Sequence, residues 1–182
     1  MDEIEIQLQE SINTKKELLA TQLATIQKIA RITTDAFRKN HRLYLIGNGG
    51  SAADAQHIAG ELIGRFKINR RPLPAIALST DTSVITALAN DFGYDTCFAR
   101  QIEALVTTGD VVFALSTSGN SKGILNAVHI ARERGAITIG FTGKDGGLLK
   151  DAVDICLRAP SDNTPRIQEC HITVGHVVCF MV

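Results

Sequence analysis

Residues 43–66 read LYLIGNGGSAADAQHIAGELIGRF, and their interpretation decides how the rest of the chain is understood. Four apolar residues, Leu43 to Ile46, lead into a turn of small residues, Gly47-Asn48-Gly49-Gly50-Ser51, and then into a run with helical spacing. This order predicts a strand, a tight loop and a helix. Glycines at 47, 49 and 50 permit positive φ angles and let a ligand come close where a Cβ would collide. Ser51 can cap the helix that follows. The first free N–H groups and the positive end of the helix dipole suit an anionic or strongly polar ligand. A glycine turn of this kind also serves as a plain connection. His57 and Glu61, four residues apart, rise from one helix face one above the other. An imidazole and a carboxylate placed so suit a divalent metal, and the same spacing also makes a surface ion pair.

Outward from this unit, apolar runs alternate with helical segments. The runs Leu43–Ile46, Ala75–Leu78, Val111–Leu115, Ile137–Phe141 and Ile155–Leu157 are short and bounded by glycine, proline, serine or aspartate. Near-continuous apolar strands separated by helices predict a parallel sheet covered on both faces. The expected fold class is therefore α/β, a doubly wound three-layer sandwich on a five-stranded parallel sheet, with residues 41–182 as its core. Ligands of such sheets bind beyond the carboxyl ends of the strands, where loops 47–51, 79–82, 116–121 and 142–147 fall. Loop 79–83 offers several caps and reads as structural, and Lys144 to Gly147 reads as a turn before a short helix. Asn90-Asp91-Phe92-Gly93 ends a helix with residues that tolerate the left-handed conformation.

The loop Ser116-Thr117-Ser118-Gly119-Asn120-Ser121, before a helix over Lys122–Arg134, carries phosphate logic. Its four hydroxyls and one glycine at a helix N-terminus can surround a phosphate with O–H and N–H donors. No G-x-x-x-x-G-K-[ST] run is present, so a small phosphorylated metabolite fits better than a nucleoside triphosphate.

Residues 3–38 carry Ile4, Leu8, Ile12, Leu19, Leu23, Ile26, Ala30 and Phe37 at near-helical spacing, with no glycine or proline. A helical arm over residues 1–40 must cover this stripe, either on its own domain or on the same arm of another subunit. The whole, 182 residues, reads as one domain. Nineteen Lys and Arg balance nineteen Asp and Glu, which argues against a broad nucleic-acid or anionic-membrane surface. The four cysteines form no C-x-x-C pair and read as reduced thiols in a cytoplasmic protein. The acidic start Met-Asp-Glu-Ile-Glu is unlike a signal peptide, and no apolar run approaches the ~20 residues of a membrane span.

After the last strand, Pro165 suits the first turn of a C-terminal helix expected from Arg166, which carries Gln168, Glu169, His171 and His176. Gln168 and His176 are separated by ~12 Å of rise and roughly 80° around the axis. Spacing alone would pair Gln168 with His171.

The run Gly47 to His57 followed by Glu61 resembles the signature of phosphoheptose isomerases, a branch of the sugar-isomerase (SIS) domain family. The likeness continues through Asn90-Asp91, Ser116 to Ser121 and Arg166-Ile167-Gln168-Glu169, and covers nearly everything after residue 40. It implies an aldose–ketose isomerase acting on sedoheptulose 7-phosphate through an enediol, with Glu61 as base and His176 as acid. It also implies one zinc per subunit on His57, Glu61, Gln168 and His176, with His171 as the runner-up to His176 and more readily a packed helix histidine. Substrate contacts are implied for Asn48, Gly49, Gly50, Ser51, Glu61, Asn90, Asp91, Ser116, Thr117, Ser118, Ser121 and Gln168. A cytoplasmic homotetramer with the arms at the subunit contacts is implied as well. The alternative is a non-catalytic SIS-domain binding protein resembling the replication-initiator-associating protein, which lacks counterparts of Glu61 and His176. A sugar-phosphate-responsive regulator would call for an added DNA-binding domain.

Overall fold

The computed structural model describes residues 2–182. Helix α1 spans Glu3–Arg38, and after it strands and helices alternate: β1 Leu43–Gly47, α2 Gly50–Ile63, β2 Ala75–Ala77, α3 Thr82–Phe92, α4 Cys97–Leu105, β3 Val111–Leu115 and α5 Lys122–Glu133. They continue as β4 Ile137–Thr142, α6 Leu149–Ala152, β5 Ile155–Arg158 and α7 Thr164–Met181, and one 3₁₀ turn, Tyr94–Thr96, precedes α4. The five strands are all parallel, in the order β2-β1-β3-β4-β5. Each expected strand is present, with ends moved by a residue or so.

Strand alternation explains the layers. Leu43, Leu45, Phe113, Ile139 and Phe141 belong to one apolar core, shared with Ile29 and Phe37 of α1, Ile58 and Leu62 of α2, and Val174 and Val178 of α7. Tyr44, Ile46, Val112 and Ala114 point the other way, into a second core with Ile102 of α4 and Ile124 and Val128 of α5. The sheet is thus buried on both faces, which is why its strands read as unbroken apolar runs.

The two halves of the arm differ. Ile29, Ala30, Ala36 and Phe37 are buried on the sheet, whereas Ile4, Leu8, Ile12, Leu19 and Leu23 face outward. Polar contacts fasten the arm to α7. The Arg166 guanidinium donates to the Gln7 carbonyl oxygen (2.6 Å) and to Glu169 (2.6 Å). Glu169 also accepts from the Ser11 hydroxyl (2.6 Å) and from Lys15 (3.2 Å). These donors hold its carboxyl below the usual range against the opposing effect of burial. No helix is long and apolar enough among the described residues to cross a membrane.

Candidate active site

The strand order reverses between β1 and β3, and the loops leaving those two strands meet there. Asn48 joins them. Its amide donates to the Ser121 hydroxyl (3.1 Å), and its carbonyl accepts from the Tyr94 hydroxyl (2.8 Å). The structure corrects one expectation about the first loop. Helix α2 starts at Gly50 with Gly49 at its cap position, so Ser51 is already inside the helix, buried, and caps nothing. The helix end is left with N–H groups that no side chain satisfies.

The serine-rich loop is braced from behind. Gly119 is pressed against Gly146, the Leu149 N–H donates to the Gly119 carbonyl oxygen (2.9 Å), and the Leu148 N–H donates to Asn120 (3.0 Å). Segment 144–147, which suggested no chemistry, therefore sets the shape of its neighbour. Ser116 is buried and Ser118 is exposed, and Ser121 stands at the α5 cap position without capping it. Asp81, by contrast, caps α3 through the Val84 N–H (3.0 Å), as a structural reading of that loop expects.

Helices α2 and α7 lie side by side and run in the same direction. Gly50 meets Gln168, Ile58 meets Gly175, and His57 meets His176, at an almost constant offset along both helices. A Cβ on Gly175 would lie 2.5 Å from the Ile58 side chain, so this glycine sets how closely the helices approach. A glycine in a helix interior costs about 1 kcal/mol relative to alanine, and the close contact is the reason to accept it. The approach brings His176 Nε2 to 3.2 Å from His57 Nε2, which is itself 3.3 Å from Glu61 Oε1. Donor atoms of these three residues all lie within 4.8 Å of one another. Nothing in the sequence spacing reveals this meeting, because Gln168 and His176 reach α2 at different heights.

Gln168 is not part of the trio. Its amide lies over Gly50 at the first turn of α2, where a glycine Cβ would fall 2.4 Å from Nε2. Asn90 and Asp91 are exposed at the end of α3 and hydrogen-bond to each other (2.8 Å). Two neighbours went unnoticed in the sequence. Tyr94 holds Asn48, and Asp54, one turn before His57, has a buried carboxylate oxygen without a partner. Burial pushes the Asp54 carboxyl up, partly offset by His57.

His171 points elsewhere. It is fully buried against Phe141, with Nε2 3.1 Å from the Thr142 carbonyl oxygen and Nδ1 without a partner. This is the packed helix histidine of the structural reading, and burial pulls its pKa down to about 4. Because the unfolded chain binds this proton near pH 6.5 and the folded chain does not, stability is whole above pH 6.5 and falls as the pH drops toward 4. Urea unfolding should show of order 1–3 kcal/mol lost between pH 7 and 4.5. His171→Leu should flatten that slope, and an unchanged slope would contradict the assignment.

The donor set fits a metal on its own terms. One His57 nitrogen faces two partners and can donate a single proton to only one of them. Two of the donor separations, 3.2 and 3.3 Å, match the edge of a tetrahedron with metal bonds of about 2.0–2.1 Å, as zinc makes with imidazole and carboxylate, and the third pair lies within 4.8 Å.

Comparison with known proteins defines the class. Residues 8–143 match the family model described as SIS domain. The chain is 54% identical to the phosphoheptose isomerase of Roseiflexus sp. (strain RS-1), covering 100% of this chain and 90% of that protein. It is 50% identical to that of Geobacter sulfurreducens, covering 100% and 96%. Among solved structures, a phosphoheptose isomerase from Francisella tularensis superposes with a TM-score of 0.96 at 36% identity, over 99% of this chain and 96% of that one. Phosphoheptose isomerase GmhA from Neisseria gonorrhoeae gives 0.92 at 39% identity, over 97% and 95%. The chain is a SIS-domain protein. Within that class it belongs to the phosphoheptose isomerase family, and the binding-protein alternative is not favoured.

Proposed function

We propose that the chain interconverts D-sedoheptulose 7-phosphate and D-glycero-D-manno-heptose 7-phosphate, an early step toward the heptose of bacterial lipopolysaccharide. The observation that carries this reading is the convergence of His57, Glu61 and His176 from two parallel helices. Isomerisation moves a proton from a carbon beside a carbonyl to its neighbour through an enediol, which needs a base, an acid and stabilisation of a developing oxyanion. Glu61 takes the proton, and His176 protonates the oxygen when its Nε2 carries a proton instead of a metal bond, so its two roles alternate. Glu61 has two carboxylate oxygens, so one can ligate while the other faces the sugar. A zinc held by His57, Glu61 and His176, to which the family resemblance adds Gln168 as a fourth donor, would polarise the sugar's oxygens.

In this reading Ser116, Thr117, Ser118 and Ser121 hold the phosphate at the free N-terminus of α5. The turn Asn48-Gly49-Gly50-Ser51, with Gln168, Asn90 and Asp91, meets the sugar hydroxyls. Ser118→Ala combined with Ser121→Ala should weaken binding by about 1–3 kcal/mol, the worth of two hydrogen bonds to a charged group. A rise in KM reads this out, and an unchanged KM would place the phosphate elsewhere. Turnover of sedoheptulose 7-phosphate by the purified protein tests the function itself.

The reading extends to a single SIS domain assembled as a cytoplasmic homotetramer. The outward apolar half of α1 is the surface that such an assembly would cover, and the four cysteines are unpaired. Light scattering at micromolar concentration should report a tetramer. A monomer would overturn that part, because an exposed stripe of this length is costly to leave in water.

A further inference from the structure

We infer that Phe66 is a positioning residue of this site, which fixes the direction in which His176 presents its Nε2 to His57 and Glu61. The inference deepens the proposed metal site and rests on that reading. Phe66 lies on the segment between α2 and β2, five residues after Glu61. Both ends of the segment are tied down. It leaves α2 directly, and at its far end Arg70 donates to the carbonyl oxygens of Leu62 (2.8 Å) and Glu61 (3.2 Å). The Leu73 N–H donates to Leu62 as well (3.1 Å). These bonds satisfy the last carbonyls of the helix that carries Glu61.

Between the anchors the backbone makes an unusually tight turn. Lys67 has a φ of +60°, and the Ile68 N–H reaches the Phe66 carbonyl oxygen at 2.7 Å, two residues back. A non-glycine residue in this region is uncommon and costs energy, and such outliers gather where surrounding structure uses them. Here the turn lays the Phe66 ring against His176, with centroids 5.6 Å apart and planes 17° from parallel. It also sets the Lys67 ammonium 5.8 Å from the Phe66 centroid and 5.0 Å from that of Phe180, one turn beyond His176 on α7. A strap from α2 is in this way folded over the partner helix.

The geometry shows what the stack does. An imidazole presents its lone pair in the ring plane, so rotation about Cβ–Cγ sweeps Nε2 away from its target. Phe66 lies along one flat face of His176, while the His57 ring meets it edge-on, at 4.9 Å and 71°. Rotation would drive the imidazole into the phenyl ring. The apolar cover on that face also keeps water off it, and groups around a ligand typically change metal affinity by about 10–100-fold when altered.

The experiment compares the wild type, Phe66→Leu and Phe66→Tyr, each as the full chain. In metal-free protein labelled at histidine, the His176 ring protons lie over the Phe66 face and should resonate upfield. Phe66→Leu should remove that shift and Phe66→Tyr should keep it. Titration with Co²⁺ alone, without substrate, should show affinity falling about 10–100-fold in Phe66→Leu and returning in Phe66→Tyr. Phe66→Met, closer in volume, replaces Phe66→Leu if that variant does not fold. His176 signals in the leucine or methionine variant at wild-type positions, or wild-type Co²⁺ affinity in a folded variant, would overturn the inference. A wild type that takes up no Co²⁺ would instead sink the metal reading, and the resonance shifts would still decide whether Phe66 places His176.

Discussion

Glu61→Gln should lower turnover of sedoheptulose 7-phosphate by at least about 10²–10⁴-fold, the usual contribution of a positioned general base, while substrate still binds. The substitution keeps the shape of the side chain and one oxygen near His57, and removes the basicity. A structural role for Glu61 would predict little change, since the residue is half exposed at the surface of α2 and its backbone is held by Arg70 whichever side chain is present. Turnover of the wild type in heavy water should place deuterium on the reprotonated carbon where the enediol's proton exchanges with solvent. Normal turnover by Glu61→Gln would overturn the mechanism outright.

His57→Ala should abolish zinc uptake, taking metal analysis of the purified protein from one ion per subunit to none, and turnover should fall with it. His57 is the nitrogen that both other members of the trio face, so its removal leaves a carboxylate and an imidazole with nothing between them to close the set. His171→Leu is the informative control. That ring is turned into the sheet toward Thr142 and Phe141, so the variant should keep its zinc. Full zinc occupancy in His57→Ala would dismiss the site, and loss of zinc in His171→Leu would move it to the other histidine.

The strands were legible because both faces of the sheet are buried. Val111 to Leu115 must be apolar at every position, and that leaves an unmistakable run. The pair His57 and Glu61 was legible because helix geometry is local. His176 entered only through the family resemblance, because spacing cannot show how closely α7 approaches α2, and that is set by Gly175 against Ile58, residues far apart in the chain. The run Arg166-Ile167-Gln168-Glu169 shows the same limit. Read as one motif, it divides in the structure: Arg166 and Glu169 hold the arm, while Gln168 faces the glycine turn. Ser51 misled for a smaller reason. A serine after glycines suits a cap, but here the glycines themselves end the loop and the helix begins two residues earlier than the cap would require.

The meeting of α2 with α7 also orders events in time. Some 119 residues separate His57 from His176, so at ribosomal rates of about 5–20 residues per second the first waits roughly 6–24 s for the second to be made. Every strand of the sheet exists before then, with the α7-facing side of Ile58 still bare. A nascent chain in that interval owns half a site and an uncovered apolar groove, the kind of surface that chaperones grip. The proposed ion site is consequently complete only once α7 docks, with His57 and Glu61 made long before His176 joins them.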